Sequence, residues 1–125
     1  HGIPKKYFDK GDPYHCYCHK TTRLISEKLN SIEIKTTFQS RFGPDEWLKP
    51  YTDKTLENLP KEGIKNILII CPGFSSDCVE TLEEISIEGK ESFVNSGGEN
   101  FDMIPCLNDN DDHIFLLKSL IQRST

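Results

Sequence analysis

Basic charge is in short supply in this sequence. It sets 15 Lys and Arg against 20 Asp and Glu, for a formal net charge of −5. Such a surface exerts no general pull on a phosphate backbone or an anionic lipid, so nucleic acid is not an expected partner. Long apolar runs are also missing. The longest spans Ile67 to Cys71, against the roughly 20 residues that a helical membrane span requires. The cysteines, at 16, 18, 71, 78 and 106, are odd in number and form no CxxC pair. That argues against a zinc ribbon or a disulfide scaffold and for reduced thiols, hence a cytoplasmic location. No secretory signal pattern is visible. Nucleotide loops of the GxGxxG or Walker type and a GxSxG elbow are absent, as are internal repeats and low-complexity tracts. The first residue is His1 rather than Met, so the chain is expected to be processed or to be a piece of something longer.

What is present fits one lean domain. The length of 125 residues suits a single domain. The apolar share of 35% lies below the usual figure of roughly 45–50%, which also counts Gly. Seven Phe, four Tyr and one Trp exclude a disordered tail. Residues 1–11 read as loop, broken at Pro4 and Gly11. Asp12 and Pro13 open a helix that runs to about 30. Residues 34–39, rich in β-branched and aromatic side chains, read as a strand. A loop around Gly43, Pro44 and Pro50 leads to a short helix over 52–62 that closes at Gly63. Residues 66–71 are apolar on both faces, as in a central parallel strand. A long helix follows over 77–95 and stops at Gly97 and Gly98. A short strand over 101–104 and a last helix over 111–122 complete the order. This alternation predicts an α/β fold: a doubly wound three-layer α/β/α sandwich on a small parallel sheet of three strands. Ligands of such sheets sit beyond the carboxyl ends of the strands, where His1, Ser40 and the turn 72–76 would gather.

The helix over 77–95 carries an acidic face. With Glu80 at zero and about 100° per residue, Glu91, Glu84, Asp77 and Glu88 fall at about 20°, 40°, 60° and 80°. Val79, Leu82, Ile85 and Phe93 lie opposite, on the side expected to be buried. Like charges four residues apart cost about 0.2–0.5 kcal/mol per pair, and a divalent cation bound by carboxylate oxygens would offset that cost. The alternative is a solvated acidic face, which most charge runs are. His15 and His19 are a second possible metal pair, but no third ligand is evident. The turn with Gly73, Ser75 and Ser76 resembles an anion site, yet the acids that follow would repel phosphate. Trp47 is either a lid over a flat apolar ligand or ordinary packing.

Several segments then occur in a recognisable order: His1-Gly-Ile-Pro4, Gly11-Asp-Pro-Tyr14, Phe38-Gln-Ser-Arg-Phe-Gly-Pro44, Trp47-Leu48 with Pro50 and Thr52, Pro72-Gly-Phe-Ser-Ser-Asp-Cys-Val-Glu-Thr-Leu-Glu-Glu-Ile85, Gly97-Gly98 and Ile104-Pro-Cys-Leu-Asn108. Together they resemble the C-terminal half of bacterial ferrochelatase over nearly the whole chain. The resemblance implies a lyase of haem and porphyrin biosynthesis, inserting ferrous iron into protoporphyrin IX. The family fold is two similar halves with the porphyrin in the cleft between them. By the resemblance, His1 and Glu80 are the catalytic pair and also metal ligands, and Asp77, Glu84 and Glu88 continue the metal ladder. Trp47 lies near the porphyrin pocket, with Ser40 as a further substrate contact.

The same resemblance names the partners: protoporphyrin IX, Fe2+ as a substrate, and an N-terminal half carrying an apolar lip for peripheral membrane association. These 125 residues alone are accordingly expected to show little turnover, and an exposed sheet edge is expected to favour self-association. No resident cofactor is implied. Relatives with an iron–sulfur cluster hold it on cysteines beyond the last helix, where this sequence reads Arg123-Ser124-Thr125. Two other readings stand beside this one. The first is a chelatase for another tetrapyrrole, such as a cobaltochelatase; those usually rely on histidines, whereas position 78 is Cys. The second is a non-catalytic α/β module that binds a divalent metal along its acidic face.

Overall fold

A computed structural model describes residues 1–30 and 32–125. Its elements are α1 (Lys5–Asp9), α2 (Tyr14–Leu29), α3 (Thr52–Asn58) continued by a 3-10 turn (Leu59–Glu62), β1 (Asn66–Ile69), a π-helix (Glu80–Gly89) continued by α4 (Lys90–Asn95), β2 (Asn100–Met103) and α5 (Asp111–Ser124). β1 and β2 pair in parallel, with Asn66 opposite Asn100 and Ile69 opposite Met103. Parallel strands cannot be joined by a tight turn, and the π-helix with α4 supplies the crossover. The α/β class and the parallel pairing therefore agree with the reading of the sequence.

Among the described residues the sheet has two strands rather than three. Residues 34–39 do not join it, and the backbone groups of Phe38 and Gln39 pair elsewhere. Phe38 N–H donates to Pro50 O at 2.9 Å, and Thr52 N–H donates to Phe38 O at 3.0 Å. This makes one isolated parallel bridge between Phe38 and Tyr51. One face of the sheet, Ile67, Ile69, Phe101 and Met103, turns to the core, while Asn66, Leu68, Asn100 and Asp102 are exposed. β1 is thus apolar on both faces but covered on only one among the described residues. Residues 1–11 also differ from expectation, since they contain α1. Pro4 enters it with φ −56°, the Lys5 ammonium meets the Asp9 carboxylate one turn on at 2.7 Å, and Lys5 N–H donates to Glu46 O at 2.8 Å.

The helix expected over 77–95 is present, but its first half is wound more loosely. Bonds closed from i to i+5 make each turn longer than 3.6 residues, so residues four apart stay on one strip. Thr81, Ile85 and Gly89 form the buried strip, and Phe93 extends it in α4. Glu80, Glu84 and Glu88 form the strip one residue earlier. The 3.6-residue period had placed Val79 and Leu82 in the core; both are exposed, because the longer turn carries them past the buried side.

The core is Leu56, Leu59, Cys71, Ile85, Phe93 and Phe101, with Ile67, Ile69 and Met103 packed against it. Phe93 is fully buried, its ring 6.0 Å from that of Phe101. α4 ends in a left-handed residue, Gly97 at φ +103°, and Gly98 N–H reaches back to Phe93 O at 2.9 Å. That return path lays Gly98 directly on the Phe93 ring, where a Cβ would overlap ring carbons. Gly98→Ala is expected to cost about 1–3 kcal/mol by overpacking, and Phe93→Ala about 3–5 kcal/mol by leaving a cavity. Urea denaturation midpoints at unchanged m-value measure both.

Candidate functional site

The backbone at Ser40 is left-handed, with φ +67°. That turn aims two donors of one residue at a single carboxylate. Ser40 N–H donates to Glu84 Oε1 at 2.7 Å, and Ser40 Oγ–H donates to Glu84 Oε2 through a short bond. Hydrogen bonds to a charged group are worth about 1.5–3 kcal/mol each, so Glu84 is tied to this loop. The preceding residue, Gln39, is buried. Its Nε2 donates to the main-chain oxygen of Glu80 at 2.8 Å and lies 3.2 Å from Glu84 Oε2 and from Ser40 Oγ. Ser40, Glu84 and Glu88, expected from the sequence to serve the site, line one open cavity of about 360 Å3 with Gln39. The bidentate Arg41–Asp53 ion pair, at 2.6 and 2.8 Å, stands on its wall.

His1 is placed from the other end of Gln39. Gly2 N–H donates to Gln39 O at 2.8 Å, and Tyr14 O–H donates to His1 O at 2.6 Å. The imidazole is exposed, 6.0 Å from the Trp47 ring and 6.3 Å from that of Phe74 in the turn after β1. Its Nδ1 lies 2.7 Å from Gly2 O. A carbonyl only accepts, so in the neutral ring Nδ1 carries the hydrogen and Nε2 keeps its lone pair. Burial pushes the Tyr14 phenol up to about 12, helped by Cys18 nearby, so it stays a donor to His1.

Glu80 is half-buried. Hydrogen bonds from Cys78 and from its own N–H hold its carboxyl below the usual range, so it remains an anion. Asp77 faces a different neighbourhood. Asn108 Nδ2 donates to its Oδ2 at 2.9 Å, and its Oδ1 accepts from Thr81 Oγ1 at 2.9 Å and from Cys106 N–H at 3.3 Å. Asn108 Oδ1 accepts from Asp77 N–H at 2.8 Å. Asn108 is itself left-handed, with φ +49°, and its carbonyl meets Nδ1 of buried His113 at 2.7 Å. Asp77 therefore ties the start of the π-helix to the loop after β2. The Asn108 amide, followed by Thr81 and Cys106, lowers its carboxyl to about 2.

Trp47 packs rather than covers. Its ring is 5% exposed, wedged against Phe42 at 4.9 Å and against Gly2, and its buried Nε1 meets no acceptor among the described residues. His15 and His19 lie 4.4 Å apart, flanked by Phe8 and Phe38. Among the described residues, no three His, Cys, Asp or Glu side chains converge closely enough to hold a metal ion. Gln39, Thr81, Asn108 and His113 were missed as site-building residues. Gln39 and Asn108 lie inside recognisable segments, but nothing in a linear sequence shows what their amides touch.

The Asp77 network sets an acid limit. Because the folded carboxyl is lowered from 3.8 to about 2, its stabilisation is complete above its ordinary value and fades as pH falls between those two values. Asn108→Ala is expected to return the Asp77 carboxyl toward 3.8 and to move acid unfolding to higher pH. An NMR titration of Asp77, with circular dichroism against pH, measures the two effects.

Comparison with known proteins adds an independent finding. The family model described as Ferrochelatase matches residues 1–125. The ferrochelatase of Allorhizobium ampelinum is 58% identical over 125 residues, covering 98% of this chain and 36% of that protein. That of Rhizobium meliloti is also 58% identical, over 98% of this chain and 37% of the relative. That of Hydrogenovibrio crunogenus is 56% identical, over 100% and 34%. The chain thus spans about a third of the length of the curated relatives it matches. With a match along its whole length and a parallel α/β unit of the expected class, the chain belongs to the ferrochelatase family.

Proposed function

We propose that this chain is the C-terminal catalytic part of a ferrochelatase, a lyase that exchanges the two pyrrole protons of protoporphyrin IX for Fe2+. The observation that carries this reading is the link running from His1 through Gly2 and Gln39 to Glu80 and Glu84, the residues to which the family resemblance assigns the chemistry. Metallation replaces two N–H protons by one dication, so the site needs a proton acceptor and a place for positive charge. His1 Nε2, with its lone pair free in the neutral ring, takes a pyrrole proton. Glu80, an anion, draws the cation or the second proton. Glu84 and Glu88, one turn and two turns along the π-helix, extend the negative potential toward solvent. Asp77, with both oxygens occupied, serves by holding that helix to the loop after β2. Ser40 belongs to the wall that the porphyrin would meet, and Trp47, packed beside His1, backs the site from within.

The chain covers about a third of its relatives, so the other wall of the cleft is proposed to come from an N-terminal part of the enzyme, and the 125 residues alone to turn over little. No helix among the described residues is long and apolar enough to cross a membrane; membrane association of the whole enzyme is proposed to be peripheral, and its location cytoplasmic. An iron–sulfur cluster is not proposed.

The test is a chimera joining the N-terminal part of the Rhizobium meliloti enzyme to this chain. It is expected to insert Fe2+ into protoporphyrin IX, while His1→Ala and Glu80→Gln each lower kcat by about 100-fold or more. A folded, porphyrin-binding chimera without insertion, or variants at full rate, would overturn the reading.

A further inference from the structure

Gln39 reaches toward both members of the proposed catalytic pair, through its main chain to the neighbour of His1 and through its amide to the backbone of Glu80. Its carbonyl accepts from Gly2, the neighbour of His1, at 2.8 Å. Its amide donates to the main-chain oxygen of Glu80 at 2.8 Å, with Glu84 Oε2 and Ser40 Oγ both at 3.2 Å. The residue is 8% exposed, so water cannot readily stand in for these partners, and a buried polar group left unpaired costs about 1–3 kcal/mol. The Glu80 oxygen lies in the first turn of the π-helix, where i→i+5 winding pairs a carbonyl with the N–H five residues on, here that of Ile85. A second donor on that oxygen steadies the loose winding at its start.

We propose that Gln39 is a positioning residue that sets the spacing between His1 and Glu80 and anchors the first turn of the π-helix. The part concerning His1 and Glu80 as a reacting pair rests on the chelatase reading; the anchoring of the helix does not. The amide has two hydrogens. One goes to Glu80 O, the shorter contact, and the other is shared by the Glu84 carboxylate and the Ser40 hydroxyl. A carboxylate in its place would have no hydrogen to give and would face Glu84 at close range. A carboxylic acid would have one. The chemistry therefore distinguishes Gln, ionised Glu and protonated Glu at a single, nearly isosteric position.

Two experiments test this. In the 125-residue chain, hydrogen exchange at Ile85 and its helical neighbours reads the anchor. Gln39→Met is expected to speed exchange there by tenfold or more while leaving α5 amides unchanged. Exchange within twofold of the parent would overturn the anchor, and if Gln39→Met does not fold, Gln39→Glu takes its place. In the chimera, Gln39→Met is expected to lower kcat at least tenfold with little change in the KM for porphyrin. For Gln39→Glu, the ratio of kcat to that of the parent is expected to rise as pH falls, when the new carboxyl gains its hydrogen. The titratable and charged groups around it are Glu80, Glu84 and Glu88 on the π-helix, the Arg41–Asp53 pair on the cavity wall and His1 beyond Gly2, and the parent measured at each pH is the reference. A flat ratio, or full kcat in Gln39→Met, would refute the positioning role while leaving the chelatase reading intact. An inactive parent chimera would instead sink the chelatase reading, with hydrogen exchange still deciding the anchor.

Discussion

Backbone bonds closed five residues apart between Glu80 and Gly89 organise everything else in this chain. They create a four-residue repeat in which Thr81, Ile85 and Gly89 face the core and Glu80, Glu84 and Glu88 form the next strip. The loose winding is an unfavourable form of helix that persists only where the surroundings hold it. Here two loops do so. Asn108 and Cys106 grip Asp77 just ahead of it, and Gln39 and Ser40 grip Glu80 and Glu84 within it.

Those same grips distribute the acids into different tasks. Asp77 has both oxygens engaged and is an internal tie. Glu84 is bound to the Ser40 turn at the wall of the cavity. Glu80 remains ionised beside Cys78, and Glu88 is exposed. A row of five carboxylates that looks uniform on a helical projection is therefore not uniform in chemistry, because the neighbours that differentiate the acids come from distant loops. The aromatic side of the site shows the same dependence. Trp47 is held by Gly2 and Phe42, and its buried face backs His1.

Much of the architecture was legible. Asp12 and Pro13 announce α2, and Asp12 Oδ1 does accept from Tyr14 N–H at 2.9 Å. Gly63, at φ +91°, closes the turn after α3 as its position suggested. The parallel pair β1 and β2 follows from apolar segments separated by a helix. Three features were not legible, each for a physical reason. A π-helix and an α-helix share the same composition, and only the buried strip distinguishes them. Residues 34–39 have strand character, but the backbone of Phe38 is taken by the loop at 50–52 and the Gln39 carbonyl by Gly2. α1 is five residues long, too short for any periodicity, and it owes its place to Glu46 and the bridge from Pro4 to Trp47.

The linear order of residues was enough to establish the α/β class and the family, and to single out His1, Glu80 and the acids around it as candidates. Those depend on residue type and spacing, which one strand of text contains. The winding of the central helix and the separate fates of Asp77, Glu80 and Glu84 emerged only on folding. So did the hold of Gln39 on two remote segments. A hydrogen bond selects its partner by distance and angle in space, and residues 2, 39, 80 and 84 become neighbours only when the chain is packed.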